Sequence, residues 1–159
     1  MTVRLAGLMA GAALALAAFT GDATAQMLDR KVMSIGEAKK IAAAAMAEAT
    51  KNNWNVVVAI LDEGGHLMYL ERKDGTQLAS ADIAVNKAKG ALLFRRSTKV
   101  MEDTVPQRPA FATINREVAM IEGGLPLMHN NVVVGAIGVS GVTSQQDGVI
   151  AAAGVAALK

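Results

Sequence analysis

Cysteine is absent from this 159-residue chain. Its absence excludes disulfides, zinc–thiolate and iron–sulfur centres, thiolate-attached cofactors and thiol nucleophiles. Any metal must be held by His, Met, carboxylate, hydroxyl or amine groups. Aromatic side chains are scarce, with one Trp, one Tyr and three Phe, and proline occurs three times. Charge of one sign is missing too: 16 Lys and Arg against 14 Asp and Glu leave a net +2, with no concentrated basic block of the kind a nucleic-acid partner requires. What is present is 52% hydrophobic residues, 19% charged residues and 15 Gly. That composition excludes disorder and low complexity and describes one globular domain with a sizeable core.

The N-terminus is organised as an address. Arg4 precedes an unbroken run of apolar and small residues from Leu5 to Ala18, and Ala23-Thr24-Ala25 forms an A-x-A site before Gln26. Gly21-Asp22 interrupts the run short of the ~20 apolar residues needed to cross the hydrocarbon of a bilayer. Residues 1–25 are therefore expected to be a cleaved secretory signal and 26–159 the mature domain, periplasmic or secreted, with no stable membrane insertion after cleavage.

Ser34-Ile35-Gly36-Glu37 has the form of a reciprocal capping box. Ile35, Ala38, Ile41, Ala42, Ala45, Met46 and Ala49 then repeat at helical spacing until Asn52-Asn53, which predicts one helix with a narrow buried stripe. Asn55–Leu61 is a β-branched run, and Asp62-Glu63-Gly64-Gly65 separates it from His66–Arg72, which predicts a hairpin. A second helix is expected over Ser80–Arg95, with Ile83, Ala84, Ala88, Ala91 and Leu92 inward and Asn86, Lys87 and Lys89 elsewhere. Between Arg96 and Arg116 the pattern predicts a loop with short helical turns, one of them capped by Thr98. Asn130-Asn131, between Leu127–His129 and Val132–Val139, suits the two-residue turn of a second hairpin because Asn tolerates positive φ. Thr143 with Gln146, or Ser144 with Asp147, caps a final helix. Two hairpins among helices imply one largely antiparallel sheet, and the Val-rich strands read as buried on both faces.

Chemistry-bearing residues are few. His66 and His129 are the two imidazoles, and isolated histidines do not form a metal motif. Asp62, Glu63, Glu71 and Asp74 gather around the first hairpin as solvated turn charges, while Lys87, Lys89, Arg95, Arg96 and Lys99 form a basic stretch suited either to ligand carboxylates or to a solvated helix face. The glycines of Gly135-Ala136-Ile137-Gly138-Val139-Ser140-Gly141 are spaced by three, which is not the dinucleotide fingerprint, and Ser140 has no evident His–Asp partner.

Three segments, Leu61–Gly75, Ile83–Ala91 and Gly123–Gly154, resemble the GlcG/HbpS-type haem-binding family, which is similar to the C-terminal domain of PduO proteins. The resemblance spans nearly the whole mature chain. It implies an α/β (α+β), profilin-like fold with a single five-stranded, mainly antiparallel sheet flanked by helices, and homo-oligomers, dimeric or larger. It also implies haem (heme) or another tetrapyrrole as cofactor, in haem capture or extracellular redox sensing. On that basis the cofactor-binding residues are expected among His66, Thr98, Arg95, Arg96, Arg72 and Lys87, with His66, Thr98 or a methionine as iron ligand and Arg95, Arg96 or Lys99 pairing the propionates. The chain departs from the family pattern at Asn130-Asn131 and at Lys89-Gly90. Two other readings stand beside this one. The first is an acid/base enzyme on an organic acid, using Asp62, His66 or Asp74 with Arg72 as carboxylate clamp. The second is an oligomeric scaffold for a sensor partner.

Overall fold

A computed structural model describes residue 27 and residues 29–158. The chain divides into Met1–Arg30 and a compact unit, Lys31–Lys159. The expected leader lies outside the described residues.

The first helix, α1 (Ile35–Lys51), begins where Ser34 Oγ accepts from the Glu37 N–H, and it ends at Asn52 and Asn53, the latter at φ 55°. The reciprocal half of the expected capping box is not made: Glu37 turns to Lys40 Nζ at 3.0 Å instead. Ala38, Ile41, Ala42, Ala45, Met46 and Ala49 are buried as the spacing predicts, whereas Ile35, in the first turn, is half-exposed. Four strands follow the two expected hairpins, β1 (Val57–Asp62) with β2 (Leu67–Arg72) and β3 (Gly124–His129) with β4 (Val132–Ser140). Between the hairpins lie α2 (Ser80–Phe94), α3 (Thr98–Thr104) and a 3-10 turn over Pro109–Thr113; α4 (Ser144–Ala156) closes the chain.

The strands pair antiparallel throughout in the order β2-β1-β4-β3. Among the described residues the sheet has four strands, not the five the resemblance implies. The segment between α3 and β3 does not extend along an edge because its backbone bonds go to helices: Ala119 N–H donates to the Asn86 carbonyl of α2 and Glu122 N–H to Glu102 Oε2 of α3.

Strand alternation sorts the core into two layers. Val56, Val58, Ile60, Ile137 and Val139 pack with the buried stripe of α1 and with Ile150 and Ala151 of α4. Val57, Ala59, Leu61 and Ala136 pack on the opposite face against Ala84, Ala88, Ala91 and Leu92 of α2. Complete burial of a side chain such as Ile137 contributes about 2–3 kcal/mol. Small residues set the spacing of the second layer: a Cβ on Gly138 would run into the Ala84 carbonyl oxygen, so α2 lies directly on the β4 backbone. Both strands are thus covered on both faces, as their continuous apolar sequences predict.

Candidate functional site

The β1–β2 turn is organised by one carboxylate. Asp62 Oδ1 accepts from the Gly64 N–H at 2.9 Å and the His66 N–H at 2.8 Å, and it lies 3.4 Å from His66 Nδ1. The Asp62 N–H donates to the His66 carbonyl, and Gly65 takes φ 85° to turn the chain. A Cβ on Gly64 would sit 2.9 Å from His66 Nδ1, so the glycine makes room for the ring. The imidazole is held along this edge while its side chain stays 83% exposed. Asp62 is therefore a structural acceptor rather than the solvated turn charge the sequence suggests.

Opposite this turn, α2 ends in a Schellman arrangement. The Arg96 N–H donates to the Ala91 carbonyl and the Arg95 N–H to the Leu92 carbonyl, with Arg95 in the left-handed region at φ 50°, ψ 41°. Glycine is usual at such a position, and an Arg there costs about 1 kcal/mol. Leu92 Cδ2 reaches the turn at Gly65, and between the two elements lies a hollow of about 200 Å³ lined by Glu63, Gly64, Leu92, Leu93, Arg95 and Val133. Glu63 Oε2 is buried there without a hydrogen-bond partner. An apolar wall, a guanidinium and an unsatisfied carboxylate oxygen thus meet in one recess, and the His66 ring lies beside Gly64, one of the residues that line it.

The other expected site residues are dispersed. Arg72 and Asp74 lie at the far end of β2, about 20 Å from His66 at the usual rise per strand residue. The acid/base set of Asp62, His66 and Asp74 with Arg72 is therefore split between opposite ends of a hairpin and makes no single site. Arg96 is exposed, its Nε donating to the Phe94 carbonyl. Lys99 binds the Asp103 carboxylate at 2.5 and 2.6 Å, which raises its pKa.

Thr98 does not cap α3, because Ser97 does so by accepting from the Lys99 N–H. Fully buried, Thr98 Oγ1 accepts from the Gly124 N–H at 2.8 Å and donates to the Gly124 carbonyl at 3.3 Å, so its hydroxyl joins α3 to β3.

Lys87 corrects the expected helix face most sharply. Its side chain is 1% exposed and pairs with Asp147 of α4, 2% exposed, at 2.7 Å. Asp147 Oδ1 also accepts from the Val142 N–H. Burial pushes the Asp147 carboxyl above its ordinary value of 3.8, against the opposing pull of Lys87. The signal was present in the spacing, since residue 87 lies three after Ala84 and four before Ala91, on the inward stripe.

His129 ends β3 beside a second hollow of about 240 Å³, lined also by Met33, Ser34, Glu37, Val134 and Leu158. Its Nε2 lies 3.2 Å from the Asn130 side-chain amide. Ser140 Oγ donates to Ser80 Oγ inside the α2–β4 contact, a packing role rather than a nucleophile's. Among the described residues no three His, Asp or Glu gather as a metal site, and no helix is long and apolar enough to cross a membrane. Sequence reasoning did not single out Leu92, Leu93 and Val133 as the apolar side of a recess, because only the packing of the turn onto α2 brings them together.

Residues 33–156 match the family described as haem degrading protein HbpS-like. Protein GlcG of Escherichia coli K12 is 41% identical over 115 residues, covering 72% of this chain and 85% of that protein. A crystal structure of a double mutant of HbpS from Streptomyces reticuli superposes with a TM-score of 0.79 at 29% identity, covering 94% of this chain and 99% of the other. The crystal structure of a PduOC–haem complex gives a TM-score of 0.76 at 26% identity, covering 81% and 96%.

Proposed function

The chain belongs to the HbpS-like family, and from that premise we propose that it binds haem at the recess between the β1–β2 turn and the C-terminus of α2. The observation that carries the reading is a recess lined by a guanidinium and an apolar wall (Arg95, and Leu92, Leu93 and Val133), with the exposed His66 imidazole beside its lining residue Gly64. Arg95 and the apolar wall suit a flat, apolar dianion, whereas the Glu63 carboxylate in the same recess opposes negative charge. Leu92, Leu93 and Val133 would hold an edge of the ring, Arg95 would pair a propionate, and His66 would offer a nitrogen to the iron. Bound haem supplies a redox-active iron whose potential depends on its axial ligand and surroundings.

The recess, at about 200 Å³, is smaller than the ~300–1,000 Å³ typical of pockets that enclose a whole ligand. A recess of this size would hold a tetrapyrrole along one edge only. An edge-held ligand exchanges readily, which suits capture and hand-over or the sensing of extracellular haem. The leader at residues 1–25 takes the protein to the periplasm or the exterior, where it works as a homo-oligomer. Intact mass of the exported protein and light scattering test these two points. A retained leader refutes export, and a monomer at all concentrations refutes assembly.

The decisive experiment is a haemin titration of the chain beginning at Gln26. A saturable one-site spectrum is expected. Arg95→Ala should weaken it about 10- to 100-fold, the equivalent of one lost charge-assisted hydrogen bond. His66→Ala should displace the Soret band. Non-saturating uptake, or saturable binding indifferent to both variants, rejects this site.

A further inference from the structure

We propose that Asp62 is a positioning residue that holds the His66 imidazole with Nδ1 protonated and facing the carboxylate, so that Nε2 is the nitrogen presented to a metal-bearing ligand. The proposal rests on the haem reading of this recess only for what Nε2 contacts; the orientation of the ring stands on the geometry of the turn.

Three groups converge on Asp62 Oδ1: the N–H of Gly64 at 2.9 Å, the N–H of His66 at 2.8 Å and the Nδ1 of His66 at 3.4 Å. The first two fix the carboxylate, since each belongs to the backbone of a turn further closed by the Gly65 N–H to the Asp62 carbonyl. The ring lies beside Gly64, which would meet Nδ1 and Cε1 if it bore a Cβ, so the Nδ1–Cε1 edge is the one nearest the turn. Nε2 follows Cε1 in the ring, one atom further from Asp62 than Nδ1, on a side chain 83% exposed. A carboxylate facing one imidazole nitrogen selects the tautomer carrying its proton there and makes the other nitrogen the stronger donor to a metal. Gly64 lines the recess and also underlies the ring, so the same short turn places both the wall of the recess and the ligand nitrogen.

Asp62→Asn separates positioning from folding. An asparagine Oδ1 still accepts from the Gly64 and His66 N–H groups, so the turn closes; only the charge facing Nδ1 is lost. Nitrogen-15 NMR of the ligand-free protein reads the His66 tautomer directly. The Nδ1–H form should dominate in the parent protein and lose population to the Nε2–H form in Asp62→Asn, whose neutral Oδ1 is the weaker acceptor. The Nε2–H form in the parent, or the same tautomer balance in both proteins, overturns the proposal. With haem added, Asp62→Asn should lower affinity about 10- to 100-fold, the usual cost of losing such a partner. It should also raise the reduction potential of the iron, because a less electron-rich imidazole favours the ferric state less. A tautomer shift in a protein that never takes up haem would uphold the orientation and refute the haem reading. Saturable binding in both proteins with unchanged affinity and potential overturns the role of Asp62 while leaving haem binding intact. Should Asp62→Asn fail to fold, Gly64→Ala crowds the ring edge while leaving the carboxylate, and it should disturb the same tautomer signal; an unchanged signal overturns the proposal.

Discussion

Lys87→Met is the most demanding test of the packing described above. The substitution replaces an ammonium by a similar apolar chain and leaves the Asp147 carboxylate 2% exposed with its 2.7 Å partner gone. Removing one member of a buried pair costs about 3–5 kcal/mol, because the remaining charge is neither solvated nor matched. Against the ~5–15 kcal/mol of a typical domain this is a large fraction. At about 4 °C per kcal/mol for a domain of this size, it lowers Tm by about 12–20 °C.

Asp147→Asn alone strands the ammonium and should cost a comparable amount. Combining the two removes both charges and retains an acceptor for the Val142 N–H, so the double variant should be more stable than the two single losses added together. Urea denaturation of the four proteins at neutral pH gives the coupling energy, expected at about 2–3 kcal/mol. A single-variant cost below about 1 kcal/mol, or strict additivity, would refute the buried-pair reasoning. The pH dependence supplies a second check. Because the folded-state pKa of Asp147 is raised, its titration contributes stability that is fully present below the ordinary value of 3.8 and is lost as pH rises through the folded value. Asp147→Asn should remove that acid-side contribution from the stability curve.

Substitutions at three further positions address the fold and the expected ligand set. Gly138→Ala drives a Cβ into the Ala84 carbonyl and to within 2.6 Å of the Ala88 N atom, so α2 must lift from the sheet; chemical denaturation should show a loss above about 2 kcal/mol, and a neutral result would mean the helix does not lie this close. Thr98→Val leaves the buried Gly124 N–H without its acceptor and should cost about 1–3 kcal/mol in thermal melts while leaving the spectrum of added haemin unchanged; an altered spectrum would restore Thr98 as a ligand. Asn131, at φ 63°, should accept glycine without loss, whereas Asn131→Ala should cost about 1 kcal/mol through the left-handed backbone, measured as a shift in the urea midpoint.

Much of the architecture was legible in the residues themselves. The Val-rich run of β1 announced a strand covered on both faces because no polar position interrupts it. Asn130-Asn131 marked the second turn, both residues standing at positive φ, and Thr143 with Gln146 forms the full capping box at α4. The same rules failed where a partner outside the local sequence decided the outcome. Ser34 caps α1, but Glu37 prefers Lys40 to the reciprocal bond. Thr98 has a cap-like sequence position, yet its hydroxyl is taken by Gly124, 26 residues away.

Sequence alone determined the two hairpins, the helices between and after them and the apolar faces that join them, because strand and helix periods depend only on spacing along the chain. It also named His66 and Arg95 as residues worth attention. Tertiary structure decided which of the charged residues share a site. It placed Arg72 at the far end of the hairpin from His66, closed Lys87 onto Asp147 across 60 positions, and brought Leu92, Leu93 and Val133 to the turn that Asp62 organises. Those juxtapositions follow from how α2 beds onto the glycine-bearing face of β4, a three-dimensional contact that no local period encodes.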